Sequence, residues 1–309
     1  MERFRRDLTR LGAVEGRLGI AVSGGPDSVA LLWLAQRAFP EHVAAATVDH
    51  GLREESAAEA AFVADACAAL GVPHTMLKVT VGQGNVQSEA RRARYAAMAD
   101  WLESENLSAL LTAHHADDQA ETLLMRLNRG SGVEGLAGIR ARKLVPGTNI
   151  PLLRPLLSWR KNELVAVAVE SGIGFISDPS NDNPAFDRVR IREALAENDW
   201  LDPVAVAQSA AHLAECEAAL TSYADAEWAE CVSLTEAGAK YRPAGPSVIR
   251  KSVVARILTA LGGEPRGGQV ADLVAALEAG GKRNVAGVLA EARGDIWNFT
   301  REPARRTTN

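Results

Sequence analysis

Apolar positions along the first half of the chain fall into two alternating patterns. Residues 18–22, 43–48, 74–79 and 108–113 are short apolar runs, each followed by a longer stretch in which small or apolar positions recur every three or four residues. Runs that short suit buried strands, and the longer spacing suits amphipathic helices. The helical stretches begin near Asp27, Ser56, Val86 and Asp117, and Asp or Ser at such places commonly caps the first free N–H groups. The alternation predicts an α/β domain: a doubly wound parallel sheet covered by helices. In such sheets ligands bind outside the carboxyl ends of the strands, so the residues just after each strand carry the chemistry.

The pattern changes after residue 130. Residues 130–147 are rich in Gly, Arg and Lys, and Pro146, Pro151 and Pro155 interrupt any regular element, which predicts a basic loop leading into an extended crossing. Residues 159–171 read as an amphipathic helix and 177–186 as turns. The first domain is expected to span residues 1–200. Residues 202–239 are Ala-rich and acidic with helical spacing, and 252–261 and 269–277 read as short helices, so 201–309 is expected to form a small, mainly helical domain.

Composition narrows the class. A chain of 309 residues is long for one domain, and with 47% hydrophobic and 24% charged residues it has the makeup of a protein that buries a core. No run of eighteen apolar residues occurs, and the first residues show no apolar block followed by a small-residue cleavage site. A cytoplasmic location and no membrane partner are expected. Cys67, Cys216 and Cys231 are far apart and form no CxxC, which argues against a disulfide framework or a cysteine-rich zinc site. The net charge of −5 hides a division: residues 1–139 carry −5, 140–192 carry +4, 193–239 carry −10 and 240–309 carry +6. Two basic stretches flank an acidic one, so an acidic average does not exclude a nucleic-acid partner.

The strongest local motif is Ser23-Gly24-Gly25-Pro26-Asp27-Ser28, directly after the first strand and before a helix. Glycines let the backbone bend close to an anion, and N–H groups at the helix start, with the Ser23 and Ser28 hydroxyls, hold phosphate oxygens. The loop lacks both the Gly-Lys-Ser/Thr ending of a Walker A motif and the three-glycine dinucleotide fingerprint. Asp49-His50-Gly51-Leu52-Arg53 follows the second strand, and His114-His115-Ala116-Asp117-Asp118-Gln119-Ala120-Glu121-Thr122 follows the fourth. Helix capping accounts for one carboxylate in the latter, but not for five polar or charged residues. Asp118 and Glu121, three apart, share a helix face and suit a metal ion or a substrate ammonium. The His spacing differs from that of known zinc helices.

A strand ending in SGGxDS resembles the PP-loop of the ATP pyrophosphatase superfamily, whose members transfer AMP to a substrate oxygen before a nucleophile displaces it. Further matching segments are Arg91-Arg92-Ala93-Arg94-Tyr95, Arg154-Pro155-Leu156-Leu157, Asp178-Pro179-Ser180-Asn181 and Arg188-Val189-Arg190-Ile191-Arg192. Together these motifs resemble the tRNA(Ile)-lysidine synthases, over about residues 18–192. The resemblance implies a PP-loop-type ligase that uses ATP, magnesium and free L-lysine. Its substrate would be the wobble cytidine of tRNA(Ile) with a CAU anticodon, converted to lysidine through an adenylated tRNA. By motif position, Ser23, Gly24, Gly25, Pro26, Asp27 and Ser28 would bind ATP, and Asp49, Asp118 and Glu121 would surround lysine. Arg94 would lie near lysine's carboxylate or the leaving phosphate. Which carboxylate holds magnesium, and whether the protein is a homodimer, stay open. The family commonly has Asn where this chain has Val189.

The basic residues of 140–192 suit a surface that meets RNA phosphates, and on a strand Arg188, Arg190 and Arg192 would share one face, making them the expected tRNA contacts. The basic region from Lys240 to Arg306 is expected to grip the acceptor side of the tRNA. Two other readings remain: a PP-loop tRNA 2-thiolation enzyme, whose chemistry wants paired cysteines, and a catalytically silent nucleotide- or RNA-binding module. The module would need the loop but not Asp49, Asp118 and Glu121.

Overall fold

The computed structural model describes residues 1–12, 15–49, 55–79, 86–176, 187–198, 200–266 and 268–301, without the side chains of 55–57, 86–88 and 187. The expected helix-start residue Ser56 is therefore placed by its backbone alone. Residues His50, Gly51, Leu52 and Arg53, the 177–186 turns with Asp178-Pro179-Ser180-Asn181, and Arg305 and Arg306 lie outside the described residues. Two compact units divide the chain, Met1–Ala214 and Glu215–Asn309.

In chain order the first unit holds α1 (Glu2–Arg10), β1 (Arg17–Ala21), α2 (Pro26–Ala38), β2 (Val43–Asp49), α3 (Glu55–Ala69), β3 (His74–Lys78) and α4 (Val86–Ser104). It continues with β4 (Leu107–Leu111), α5 (Ala116–Asn128), α6 (Val133–Leu136), β5 (Arg142–Leu144), β6 (Pro151–Leu153), α7 (Lys161–Ser171) and α8 (Asp187–Glu197). A long helix, α9 (Pro203–Cys231), crosses the boundary between the units. The sheet order is β3-β2-β1-β4-β6-β5. β1 pairs in parallel with both β2 and β4, so the winding reverses beside β1 and a crevice opens at the carboxyl ends there. The four expected strands and the helices behind them are present.

The loop-like reading of the stretch after residue 130 is corrected by two more strands: β6 pairs in parallel with β4, and β5 closes the edge in antiparallel fashion. Pro151 is the first residue of β6, one of the few strand positions that tolerates a missing N–H. Alternation along β2 divides the core. Val43 and Ala45 join one layer with α1, α2, α3 and α7, while Ala44 and Ala46 join the other with Met98, Trp101 and Leu102 of α4. Gly19 lets α4 rest on β1, since a Cβ there would come within 2.8 Å of both Trp101 and Leu102. Helix α1 carried no signal singled out in the sequence. Its Phe4 and Leu8, one turn apart, are buried, which contributes roughly 1.5–3 kcal/mol each.

The second unit corrects the mainly helical expectation. β7 (Val232–Thr235), β8 (Gly238–Tyr241), β9 (Lys282–Val285), β10 (Val288–Arg293) and β11 (Ile296–Arg301) form an antiparallel sheet in the order β7-β8-β11-β10-β9. Two helices, α10 (Ser247–Ala260) and α11 (Gln269–Glu278), share its core. Tyr241, Trp297, Phe299 and Val288 face those helices, with Tyr241 and Trp297 edge to face at 5.6 Å. The buried Glu227 of α9 accepts hydrogen bonds from Tyr241 Oη and from Ala244 N–H, fixing the helix end to β8. Ser233, Lys240, Asn298, Glu291 and Lys282 are register partners in one row across the strands, all at least partly exposed. Among the described residues no helix is long and apolar enough to cross a membrane.

Candidate active site

The turn from β1 into α2 needs its glycines. Gly24 has φ +85°, and a Cβ there would lie 3.0 Å from Ile176 and 3.4 Å from Val63. Its carbonyl accepts the Ile176 N–H at 2.9 Å. Gly25 precedes the helix and Pro26 opens it, where no N–H is required. Ser28 Oγ donates to Gly25 O at 2.9 Å and accepts from Ser23 N–H at 3.2 Å, with Ser23 Oγ 3.3 Å away. These bonds lock the bend, while the first N–H groups of α2 have no partner within the helix and suit an anion.

Asp27 Oδ1 is buried without a hydrogen-bond partner among the described residues, and Oδ2 stands 3.5 Å from His115 Nε2. A buried, unpaired carboxylate oxygen is rare, and a hard cation beside a phosphate chain would satisfy it. Among the described residues no three or more His, Cys, Asp or Glu side chains are grouped to hold a metal. The unpaired Asp27 oxygen fits magnesium, which takes one or two carboxylates together with phosphate oxygens.

His115 occupies the N-cap of α5, a place usually held by Ser, Thr, Asp or Asn. Its Nδ1 accepts from Asp118 N–H at 3.3 Å, and Asp118 Oδ2 accepts from His115 N–H at 3.1 Å. The ring's Nε2 is 3.5 Å from Asp27 Oδ2 and 3.5 Å from Asp118 Oδ2. Burial opposes charge on this ring, but Asp117 and Asp27 outweigh it and raise its pKa from 6.5 to about 10. A protonated ring has no lone pair for the Asp118 N–H, so these two features make competing demands. Three carboxylates within 3.6 Å favour the charged form, while the 3.3 Å cap bond calls for the Nδ1 lone pair.

The neighbouring carboxylates have different tasks. Asp117 accepts from Lys161 N–H at 2.7 Å and pairs with Arg160 at 3.2 Å, fastening α5 to the start of α7. Burial resists its ionisation, yet His115, the Lys161 N–H and Arg160 hold its pKa far below the usual carboxylate range. Asp118 and Glu121 instead meet α8. Glu121, only 2% exposed, accepts from Arg188 Nε at 2.5 Å and from Arg192 Nε at 2.8 Å, and Arg188 Nη2 donates to Asp118 Oδ1 at 2.6 Å. The face-sharing pair foreseen in the sequence thus holds one guanidinium between its members.

That arrangement corrects the strand reading of Arg188, Arg190 and Arg192. They lie on helix α8, where Arg188 and Arg192, one turn apart, face the α5 carboxylates and Arg190 is exposed. Val189 is buried, which suits its apolar side chain.

The other foreseen residues lie on neighbouring elements. His114 follows β4, with its Nδ1 3.3 Å from the buried Arg154 Nε. Burial, then Arg154, lowers the His114 pKa from 6.5 to about 4, so the ring is neutral at pH 7. Half-buried Arg94, 5.4 Å from the Tyr95 ring, acts on His114 in the same sense. Asp49 ends β2 beside β1 and is half-buried. Arg92 pairs with Glu89 on an exposed helix face and is a solvated charge. Sequence reasoning gave no task to His115, Arg154 or Gln119. Gln119 clamps Ile139 with bonds of 2.6 and 3.0 Å. A His at an N-cap position was the available clue; the buried Gln119 left none.

Fold and site define a PP-loop protein, and the PP-loop domain family matches residues 1–198. The solved U34-tRNA thiolase NcsA from Methanococcus maripaludis, with its 4Fe–4S cluster, shares the fold with a TM-score of 0.55 at 17% identity, over 68% of this chain and 76% of that one. Relatives matched over nearly the whole length are more specific. The tRNA(Ile)-lysidine synthase of Novosphingobium aromaticivorans is 47% identical over 99% of this chain and 94% of its own, and that of Zymomonas mobilis is 41% identical over 95% and 91%. The chain belongs to the tRNA(Ile)-lysidine synthase family.

Proposed function

We propose that this chain joins lysine to C2 of the wobble cytidine of tRNA(Ile) with a CAU anticodon, through an adenylated tRNA, while ATP is split to AMP and pyrophosphate. The observation that carries this reading is a single imidazole, His115, that joins the phosphate turn at Asp27 to a carboxylate pair already holding a cation. In the first step the cytidine O2 attacks the α-phosphorus and pyrophosphate leaves. The bent backbone at Gly24 and Gly25, the start of α2 and the Ser23 and Ser28 hydroxyls bind the charge that develops. Asp27 would hold magnesium through its unpaired Oδ1, and that ion would screen the phosphate charge.

In the second step the ε-amine of lysine attacks C2, and AMP leaves with the former cytidine oxygen. Asp118 and Glu121, with Asp49 at the neighbouring strand end, seat the ε-ammonium and take the proton it sheds before attack. Arg188, bonded to both α5 carboxylates, yields to the ammonium and turns to lysine's carboxylate, with Arg94 beside it. Exposed Arg190 meets tRNA phosphate. Residues 1–200 serve as the catalytic domain and 201–309 contact the acceptor side, where Lys240 and Lys282 stand on the open sheet face.

Sulfur transfer has little support here. Cys67 is buried, which pushes its thiol pKa up to about 11. Pyrophosphate release by the purified chain with ATP and magnesium tests the proposal. Steady release that needs both lysine and tRNA is expected, and release indifferent to lysine contradicts it.

A further inference from the structure

We infer that Trp200 is a stacking platform for an unpaired nucleobase of the RNA substrate, next to the reacting nucleotide. This rests on the tRNA reading above. Trp200 is 76% exposed, the most exposed large apolar side chain among the described residues. Single exposed apolar side chains are ordinary, but this one is held in place. Trp200 Nε1 donates to Asn198 Oδ1 at 2.9 Å, and Asn198 Nδ2 donates to Ala194 O at 2.6 Å. The indole is therefore oriented without being covered, so less freedom is lost when a partner lands on it.

The chain on either side of it is tied to elements of the site. On one side, Arg188 and Arg192 tie α8 to Glu121. On the other, Asp202 lies 3.8 Å from Arg160, which is bonded to Asp117 at the start of α5. Both flanks of Trp200 are thus anchored to the helix that bears Asp118 and Glu121. The surroundings also say which part of an RNA fits. Glu193, Glu197 and Asp202 make this end of the segment acidic, which repels phosphate. A base face carries no such charge, and base amino groups are donors that carboxylates accept. Loop nucleotides offer unstacked bases, and every base has a π-face that an indole can meet.

The test is the affinity of a tRNA transcript with a CAU anticodon for the parent, Trp200→Phe, Trp200→Leu and Trp200→Ala. Because the side chain is exposed, all four should melt at the same temperature. Stacking predicts that Ala and Leu weaken binding by roughly five- to hundred-fold while Phe keeps most of it. Asn198→Ala, which frees the ring, should weaken binding a few-fold. Leu binding as tightly as the parent would show a merely apolar contact, and Ala binding as tightly would show no contact; either overturns the platform. Lysidine formation by the parent is scored separately. If the parent makes none while the substitution pattern holds, the platform stands and the catalytic reading falls.

Discussion

Asp27 and His115 stand 3.5 Å apart, one on the turn that follows β1 and the other at the start of α5. The same His115 nitrogen is 3.5 Å from Asp118 Oδ2, so one ring sets the spacing between the phosphate site and the cation site. His115→Asn keeps a capping side chain but does not reach both carboxylates. The expected result is a fall in kcat of roughly 100-fold, the order expected when reacting groups shift by about an ångström, with tRNA affinity unchanged. Single-turnover kinetics with pre-bound tRNA measures it.

Asp118→Asn and Glu121→Gln should each abolish lysidine formation while tRNA binding stays largely intact. Glu121→Gln should also lower stability by roughly 1–3 kcal/mol, because charge-assisted bonds to two arginines are weakened while the guanidinium groups stay partly solvated. Denaturant melts beside a modification assay separate the two effects. Equal activity of parent and Asp118→Asn would remove that carboxylate from the account.

Arg190, Lys240 and Lys282 are expected to act on tRNA through charge alone. Reversal to Glu at any of them should weaken binding most at low salt. Each lost phosphate contact should reduce the slope of log affinity against log salt by roughly 0.7–0.9. Arg188→Ala is expected to behave differently, raising the KM for lysine with little change in that slope. A titration series across salt concentrations distinguishes them.

His114 gives a pH signature. Its pKa in the folded chain, about 4, is below the ordinary 6.5, so between those values the unfolded chain takes a proton that the folded chain refuses. Stability therefore drops as pH falls from 6.5 towards 4 and this contribution levels off below. His114→Asn, which keeps an acceptor for Arg154, should lose less stability across that window. Thermal melts of parent and variant at matched ionic strength are the measurement.

Much of this was legible beforehand, for physical reasons. Apolar runs set before helical spacing made β1 to β4 and their helices legible, but the caps did not follow: Gly25, without a side-chain cap bond, and His115 hold the N-caps expected near Asp27 and Asp117. The residues at their carboxyl ends, Gly24, Asp27, Asp118 and Glu121, stood out because polar groups clustered where packing alone did not require them. The second sheet was not legible because its strands pair antiparallel and carry no continuous apolar run, with β7 and β9 mostly exposed. Alternating Trp297 and Phe299 in β11 was the one clear clue to it. The basic 188–192 segment misled because alternation of Arg with Val and Ile mimics a strand. In fact residues 188 and 192 are brought together by the helical turn, and the carboxylates they answer are about 70 residues away in sequence.

The most direct measurement is mass spectrometry of nucleosides from tRNA(Ile) incubated with the purified chain, ATP, magnesium and lysine labelled at its ε-nitrogen. The account predicts that the wobble cytidine gains a lysine, that the label sits on C2, and that AMP forms in equal amount. An unlabelled or sulfur-containing cytidine, or an unchanged one beside full ATP consumption, would contradict it.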